Sequence, residues 1–401
     1  MNNTLIKDIP AELERLQNKL LELRKQGKLF IQNGDVGYSS APSNIALLKY
    51  WGKETNREQI PLNSSLSYTI GGFRSFTKVT ALGRFLPNEE KTVSYFKNKL
   101  FLDENSKENK LPPKMDRLIR SILFPFADEI SIEINSHNNF PTACGIASSA
   151  SGYAALVGAI ADLLQLEKHF SKLELLFWLS EWARLGSGSA TRSVFTSEEE
   201  SFVKWEAPIL NKNKFTNTSS VKFHPKWRQL QHSVFILNSS EKQTSSSDGH
   251  KYAQTSPLNI IRTSGISHKL KLLQKALLEF DFECVQSLTE EDAYSMHAVM
   301  QTGEPKACYL TNEVSNLIGL FIQLRNEYDV KAFWTLDAGP NIHILYMPEA
   351  KIMLQKFHEI SQTMIEREIK ILTNSFNEGL LIGKNSFNRV KNINTLESYL
   401  K

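Results

Sequence analysis

Ala41-Pro42-Ser43-Asn44-Ile45-Ala46-Leu47-Leu48-Lys49-Tyr50-Trp51-Gly52-Lys53 starts as an extended apolar run and closes on two lysines, two aromatics and a glycine. Folding alone does not ask for that ending. The apolar residues suit a strand, whereas Lys49, Tyr50 and Lys53 suit a multiply charged anion, because ammonium groups bind phosphates as compact point charges. A strand end with solvated lysines is the competing reading.

Outward from this stretch, strand-like and helix-like segments alternate without a fixed repeat, which predicts a mixed α+β fold. Residues 36–50, 65–70, 76–82, 92–102 and 129–136 read as strands, with a helix over 114–126. Helical patterns follow over 148–166 and 172–184, and a short one opens near Gly188. Residues 196–201 are a polar loop, and 221–227 a connection. Beyond it, 233–237, 330–336 and 342–346 are strand candidates, and 260–280, 315–327 and 349–369 helix candidates. The expected division is a helical extension over 1–35, a first domain over 36–225 and a second over 226–401. In the extension, Leu13, Leu16, Leu20 and Leu23 fall at helical spacing among charges of both signs, which favours packing on the body or a second subunit over a membrane.

Two domains also suit a length of 401 residues and a hydrophobic content of 41%. The 47 basic and 43 acidic side chains leave a net charge of only +4, which argues against a nucleic-acid or membrane-surface partner. No apolar run has the length of a signal peptide or a membrane span. Cys144, Cys284 and Cys308 form an odd set without CxxC spacing, so neither a disulfide framework nor a zinc site is expected, and a cytoplasmic location fits.

Three further segments carry chemistry. Pro141-Thr142-Ala143-Cys144-Gly145-Ile146-Ala147-Ser148-Ser149-Ala150-Ser151-Gly152 is a loop of small residues running into a helix. Small side chains let backbone N–H groups approach a phosphate, and the hydroxyls of Ser148 and Ser149 can ligate Mg²⁺ or a phosphate oxygen. Close helix packing is the alternative use of the same residues; neither a P-loop nor a dinucleotide fingerprint is present. Arg184-Leu185-Gly186-Ser187-Gly188-Ser189-Ala190-Thr191-Arg192-Ser193 places an arginine beside serines, fit to grip a carboxylate or merely a solvated turn. In Trp334-Thr335-Leu336-Asp337-Ala338-Gly339-Pro340-Asn341 an aspartate ends an apolar strand, where turn formation would also select it.

Together with Pro61-Leu62-Asn63-Ser64-Ser65-Leu66-Ser67 and the stretch from Asp292 to Ala298, these ordered words resemble the diphosphomevalonate decarboxylases of the GHMP kinase superfamily, over about residues 37–346. The resemblance implies a first domain like the second domain of ribosomal protein S5, a ferredoxin-like second domain, and an active site in the cleft between them. It implies a homodimer that uses ATP and Mg²⁺ to convert mevalonate diphosphate to isopentenyl diphosphate, ADP, phosphate and CO₂. Asp337 would be the catalytic acidic residue, as base or as stabiliser of the developing cation, with Lys49 keeping it ionised. Arg192 and Asn44 would hold the substrate carboxylate. Tyr50, Lys53, Ser187, Ser189, His250 and Lys114 would serve the substrate and its diphosphate. Pro141, Gly145, Ala147, Ser148 and Ser149 would form the ATP cradle, with Ser149 active in phosphoryl transfer and the sole candidate metal ligand.

The chain departs from that pattern in three places, one of them the extra N-terminal helix. Residues 196–201 lengthen a loop where the family continues with a Gly-Gly pair, and Ser247 stands where some bacterial members have arginine. A phosphomevalonate decarboxylase, a kinase of mevalonate-type alcohols and a noncatalytic nucleotide-binding paralogue are the alternatives on the same fold.

Overall fold

The computed structural model describes residues 5–6, 8–55, 57–82, 98–102, 107–126, 130–141, 146–195, 200–208, 216–237, 246–365, 369–374 and 379–391. Helix α1 (Ala11–Lys25) leads to strand β1 (Val36–Leu48), then β2 (Ser65–Leu82), β3 (Lys99–Leu102), α2 (Pro113–Ile122) and β4 (Ser131–Asn138). Helices α3 (Ser148–Leu163) and α4 (Lys172–Gly186) follow, then a 3₁₀ turn (Gly188–Ser193), β5 (Phe202–Glu206) and β6 (Asn217–Ser220). The second half contains β7 (Gln231–Ile236), α5 (Ser246–Tyr252), α6 (Asn259–Glu279), α7 (Phe282–Thr302), α8 (Asn312–Tyr328), β8 (Ala332–Thr335), β9 (Ile342–Tyr346), α9 (Lys351–Ile365) and β10 (Lys370–Asn374). It closes with β11 (Leu381–Ile382) and α10 (Lys384–Lys391).

The first sheet runs β11-β1-β2-β4-β3, with β5 on the other end of β2 and β6 beyond it; the second runs β10-β7-β9-β8. Only β3 and β4 pair in parallel among the described strands. β2 is long enough to serve both ends, pairing Ser65 to Tyr68 with β5 and Ser75 to Leu82 with β4. Two strands were expected here, separated near Gly71-Gly72. Instead the register between β1 and β2 slips between Pro42 and Ser43, so the glycine pair makes a bulge and not a turn. The bulge lies at the mid-length of β1, beside the Ser43–Asn44 pair that opens its site-bearing half.

Other differences have local causes. The helix expected to reach residue 126 stops at Ile122, and Phe124–Phe126 form a 3₁₀ turn around Pro125, which has no N–H to donate. Residues 92–97 and 196–199 lie outside the described set. α7 was not anticipated, because buried Asp292 and His297 interrupt its apolar stripe of Val285, Leu288, Ala293, Met296 and Met300. Residues 379–391 were grouped with the second domain by sequence, yet β11 pairs with β1 of the first sheet.

α1 packs on the body. Leu13, Leu16 and Leu20 are fully buried in the core formed by the first sheet, α3 and α4. Gln17 satisfies its amide inside that core by donating to the carbonyls of Ser121 and Ile122 and accepting from Trp178 Nε1. Glu174, in the first turn of α4, takes hydrogen bonds from both Arg15 and Lys19 of α1. Among the described residues, no helix is long and apolar enough to cross a membrane. Cys284 and Cys308 are free thiols.

Candidate active site

β1 delivers its C-terminal residues to the junction of the two sheets, and the turn after β8 meets them there. Lys49 Nζ donates to Asp337 Oδ1 at 2.8 Å, with Lys49 only 1% exposed and Asp337 26% exposed. Burial pushes the Lys49 pKa down, and the Asp337 carboxylate opposes that push. The pair therefore presents one open carboxylate oxygen edge backed by a sequestered ammonium group. Asp337 also closes a turn, its carbonyl accepting from Gly339 N–H at 2.7 Å, so the turn reading and the site reading are both satisfied.

Arg192 comes from the 3₁₀ turn and is almost fully buried. Its Nη1 donates to Ser65 Oγ at 2.6 Å and its Nε to Asn44 Oδ1 at 3.4 Å, with the guanidinium carbon 6.0 Å from the Trp205 ring centroid. Desolvation lowers its pKa to about 10, so it remains a cation at neutral pH. Asn44 donates through Nδ2 to Ser193 Oγ at 2.7 Å and to the Ser189 carbonyl at 3.3 Å. Its amide is thus oriented by the same turn that carries Arg192.

Tyr50 stacks on His250 with ring centroids 4.1 Å apart and meets Trp205 edge-on, and its buried hydroxyl has no hydrogen-bond partner among the described residues. His250 Nδ1 accepts from Gly52 N–H at 3.0 Å, which assigns the proton of the neutral ring to Nε2. Burial first, then the charges of Lys53 and Arg192, lower the His250 pKa to about 3. Lys114 stands over the Tyr153 ring, and burial followed by the charge of Lys53 lowers its pKa to about 8. Lys53, Lys114, Arg192 and Lys49 thus make a strongly positive enclosure with Asp337 as its counter-charge.

Hydroxyl groups line the other wall. Ser149 Oγ lies 3.2 Å from Ser187 Oγ, which lies 3.5 Å from Ser189 Oγ. Ser149 is exposed in the first turn of α3, and Ala147 before it adopts a left-handed conformation at φ 48°. Ala150 and Ser151 N–H both close onto the Ala147 carbonyl, so the N–H groups of Ser148 and Ser149 are the ones without an acceptor inside the helix, a pair suited to phosphate oxygens. Pro141 is exposed at the mouth of this loop, Ser148 opens the helix, and Gly145 lies outside the described residues. Ser247 begins α5 but its side chain is likewise outside the described set. Among the described residues no group of three or more His, Cys, Asp or Glu side chains gathers as a metal site.

Several neighbours escaped the sequence reading. Asn63, Arg262 and Asp292 surround the Lys49 backbone, Ser65 and Trp205 flank Arg192, and His297 is buried beside the Leu336–Asp337 backbone. Asn63, Ser65, Asp292 and His297 lay within the words that carried the resemblance, but nothing in their spacing marked a role.

Residues 41–216 match the diphosphomevalonate decarboxylase-like N-terminal domain, and residues 233–392 match the mevalonate 5-diphosphate decarboxylase C-terminal domain. The diphosphomevalonate decarboxylase of Candida albicans is 35% identical over 315 residues, covering 77% of this chain and 83% of that one. The chain belongs to the diphosphomevalonate decarboxylase family. The family member from Homo sapiens is 29% identical over 327 residues, covering 77% of this chain and 76% of its own. Among solved structures, mevalonate diphosphate decarboxylase from Staphylococcus aureus superposes with a TM-score of 0.72 at 28% identity, covering 87% of this chain and 98% of that one. MDDEF, solved in complex with MVAPP, AMPPCP and magnesium, gives the same score at 26% identity, covering 87% of this chain and 99% of that one. The fold is therefore the GHMP kinase fold that the sequence resemblance implied.

Proposed function

We propose that the chain catalyses ATP-dependent decarboxylation of mevalonate 5-diphosphate to isopentenyl diphosphate, ADP, phosphate and CO₂. The observation that carries the reading is the 2.8 Å pair of Lys49 and Asp337, an anionic group set inside an otherwise cationic enclosure. A site meant only to hold anions gains nothing from a carboxylate there, whereas one that handles a hydroxyl proton or a developing carbocation needs it.

The remaining residues divide the substrate among them. Arg192, held by Asn44 and Ser65, is placed to grip the carboxylate that departs as CO₂. Lys53, Lys114, Tyr50, His250, Ser187 and Ser189 bind the diphosphate and its neighbours. Asp337 faces the tertiary hydroxyl and accepts its proton, or balances the positive charge as the phosphorylated oxygen leaves as phosphate; the C–C bond to the carboxylate then breaks, CO₂ departs, and the electron pair of that bond forms the alkene. Ser148, Ser149 and the N–H groups at the start of α3 would hold ATP phosphates. The nucleotide, when bound, supplies the phosphoryl group; Mg²⁺ would travel with its phosphates, with Ser149 the protein hydroxyl at hand.

The test is incubation with ATP, Mg²⁺ and mevalonate diphosphate or its monophosphate, following ADP and CO₂ separately. Both products from the diphosphate are expected. ADP without CO₂ would make the protein a kinase, and neither product would make it a binding module. Asp337→Asn should lower turnover by roughly 10³ or more while leaving KM within several-fold, the pattern of a group used in the transition state. A near-normal rate would remove Asp337 from the chemistry. We further propose a cytoplasmic homodimer, checked by sedimentation and cell fractionation, built from a unit over 36–225 that carries the 1–35 extension, and a second unit over 226–401 whose residues 379–391 return to the first sheet.

A further inference from the structure

β1 ends at Leu48, so the sheet does not fix the peptide groups of Lys49. Three side chains do. Lys49 N–H donates to Asp292 Oδ2 at 2.6 Å, while the Lys49 carbonyl accepts from Arg262 Nη2 at 3.0 Å and from Asn63 Nδ2 at 2.9 Å. Arg262 Nη2 also reaches both carboxylate oxygens of Asp292 at 3.0 Å, and Arg262 Nη1 reaches Asn63 Oδ1 at 3.4 Å. The result is a closed ring: Lys49 N–H to Asp292, Asp292 to Arg262, Arg262 back to the Lys49 carbonyl. Arg262 is 1% exposed and Asp292 0%. Burying an ion pair carries a desolvation cost that neutral partners for two peptide groups would have avoided, so stability alone is a poor account of it.

We propose that Asp292 and Arg262, with Asn63 as their neutral third member, are positioning residues that lock the Lys49 backbone and so hold its ammonium group against Asp337. The meaning of the Lys49–Asp337 pair rests on the function proposed above; the clamp itself rests on its own geometry. Arg262 lies on α6 and Asp292 on α7, while Lys49 follows β1, so the ring also ties the second half of the chain to the business end of the first. The Asp292 charge works in the same direction as the geometry, since it favours the ammonium form of Lys49 against burial.

Two variants separate positioning from mere packing. Asp292→Asn keeps an oxygen for Lys49 N–H but discards the charge and weakens the grip of Arg262. Arg262→Met combined with Asp292→Leu removes the pair without leaving a lone buried charge, so the fold should survive, with the melting temperature lowered only by the loss of an acceptor for the Lys49 N–H. In both, kcat for CO₂ release should fall about 10²-fold while KM stays within a few-fold, as expected when a reacting group is displaced slightly. Independently of catalysis, the Lys49 titration in the free protein, followed by NMR of labelled lysine and assigned by its loss in Lys49→Arg, should move to lower pH in Asp292→Asn. The inference is overturned if the folded double variant turns over like the unmodified protein, or if the Lys49 titration does not move. Should the double variant fail to fold, Asp292→Asn decides. Should the unmodified protein release no CO₂, the functional reading falls while the titration still judges the clamp.

Discussion

Lys114 is partly buried and shares its surroundings with Lys53, and the two effects bring its pKa to about 8. It therefore carries its charge at pH 7 and sheds it as the solution becomes mildly alkaline. If it binds the diphosphate, KM should rise between pH 7.5 and 9 while kcat changes less. Lys114→Arg, whose guanidinium does not titrate in that range, should flatten the rise. A KM profile that is the same in both proteins would place Lys114 outside the diphosphate site. At this scale the sequence was most informative where a residue type is costly to keep without a use. Lys49, Arg192 and Asp337 stand in apolar or small-residue surroundings and drew attention for that reason. Arg262 and Asp292 did not, because each sits in a helix among ordinary polar residues, and only the folded chain shows that they meet around one peptide group.

Helix α4 links the outer surface to the site. At its start Ser171 Oγ accepts from Glu174 N–H at 3.2 Å and Glu174 Oε2 accepts from Ser171 N–H at 2.9 Å, a reciprocal cap. At its end it passes into the turn that carries Ser189 and Arg192. Ser171→Ala should cost about 1 kcal/mol in denaturant unfolding, the usual value of an N-cap hydroxyl, with kcat and KM unchanged. A marked loss of activity would mean that the cap governs the turn through the whole length of the helix. Glu174 does a second task, since its hydrogen bond from Arg15 of α1 and that from the Ser171 backbone hold its pKa down to about 2. Elements with clean periodicity, α1, α3 and α4, were legible within a few residues. α7 was not, because buried Asp292 and His297 interrupt its apolar stripe. β2 was split because a glycine pair usually signals a turn, and only pairing partners on both sides hold it extended through a bulge.

For the molecule as a whole, buried neutral histidines set the acid limit. His297 is fully buried, and burial followed by the charge of Lys49 lowers its pKa to about 3; His232, packed against His343, is lowered as well. Below pH 6.5 the unfolded chain takes up protons that the folded chain refuses. Each such histidine should therefore subtract about 1.4 kcal/mol of stability per pH unit as the pH falls toward its folded value. Urea unfolding at pH 7.5, 6 and 5 measures that slope, and His297→Gln should make it shallower; an unchanged slope would show that His297 takes up its proton as readily in the folded chain as in the unfolded one.

The return of β11 to the first sheet has a consequence for how the chain is made. Arg74 is fully buried and donates to the carbonyls of Gly71, Ser40 and Gly379 and to Ser40 Oγ. One of those acceptors is synthesised 305 residues after it. Until residues 379–391 have been synthesised, β1 has no β11 to pair with and the Gly379 carbonyl that Arg74 meets in the folded chain does not yet exist. A chain ending at residue 378 should accordingly bind ANS and aggregate where the full chain does not. Residues 379–391 close a sheet begun hundreds of residues earlier, so the half that carries Ser149 and Arg192 is among the last parts of the protein to become complete.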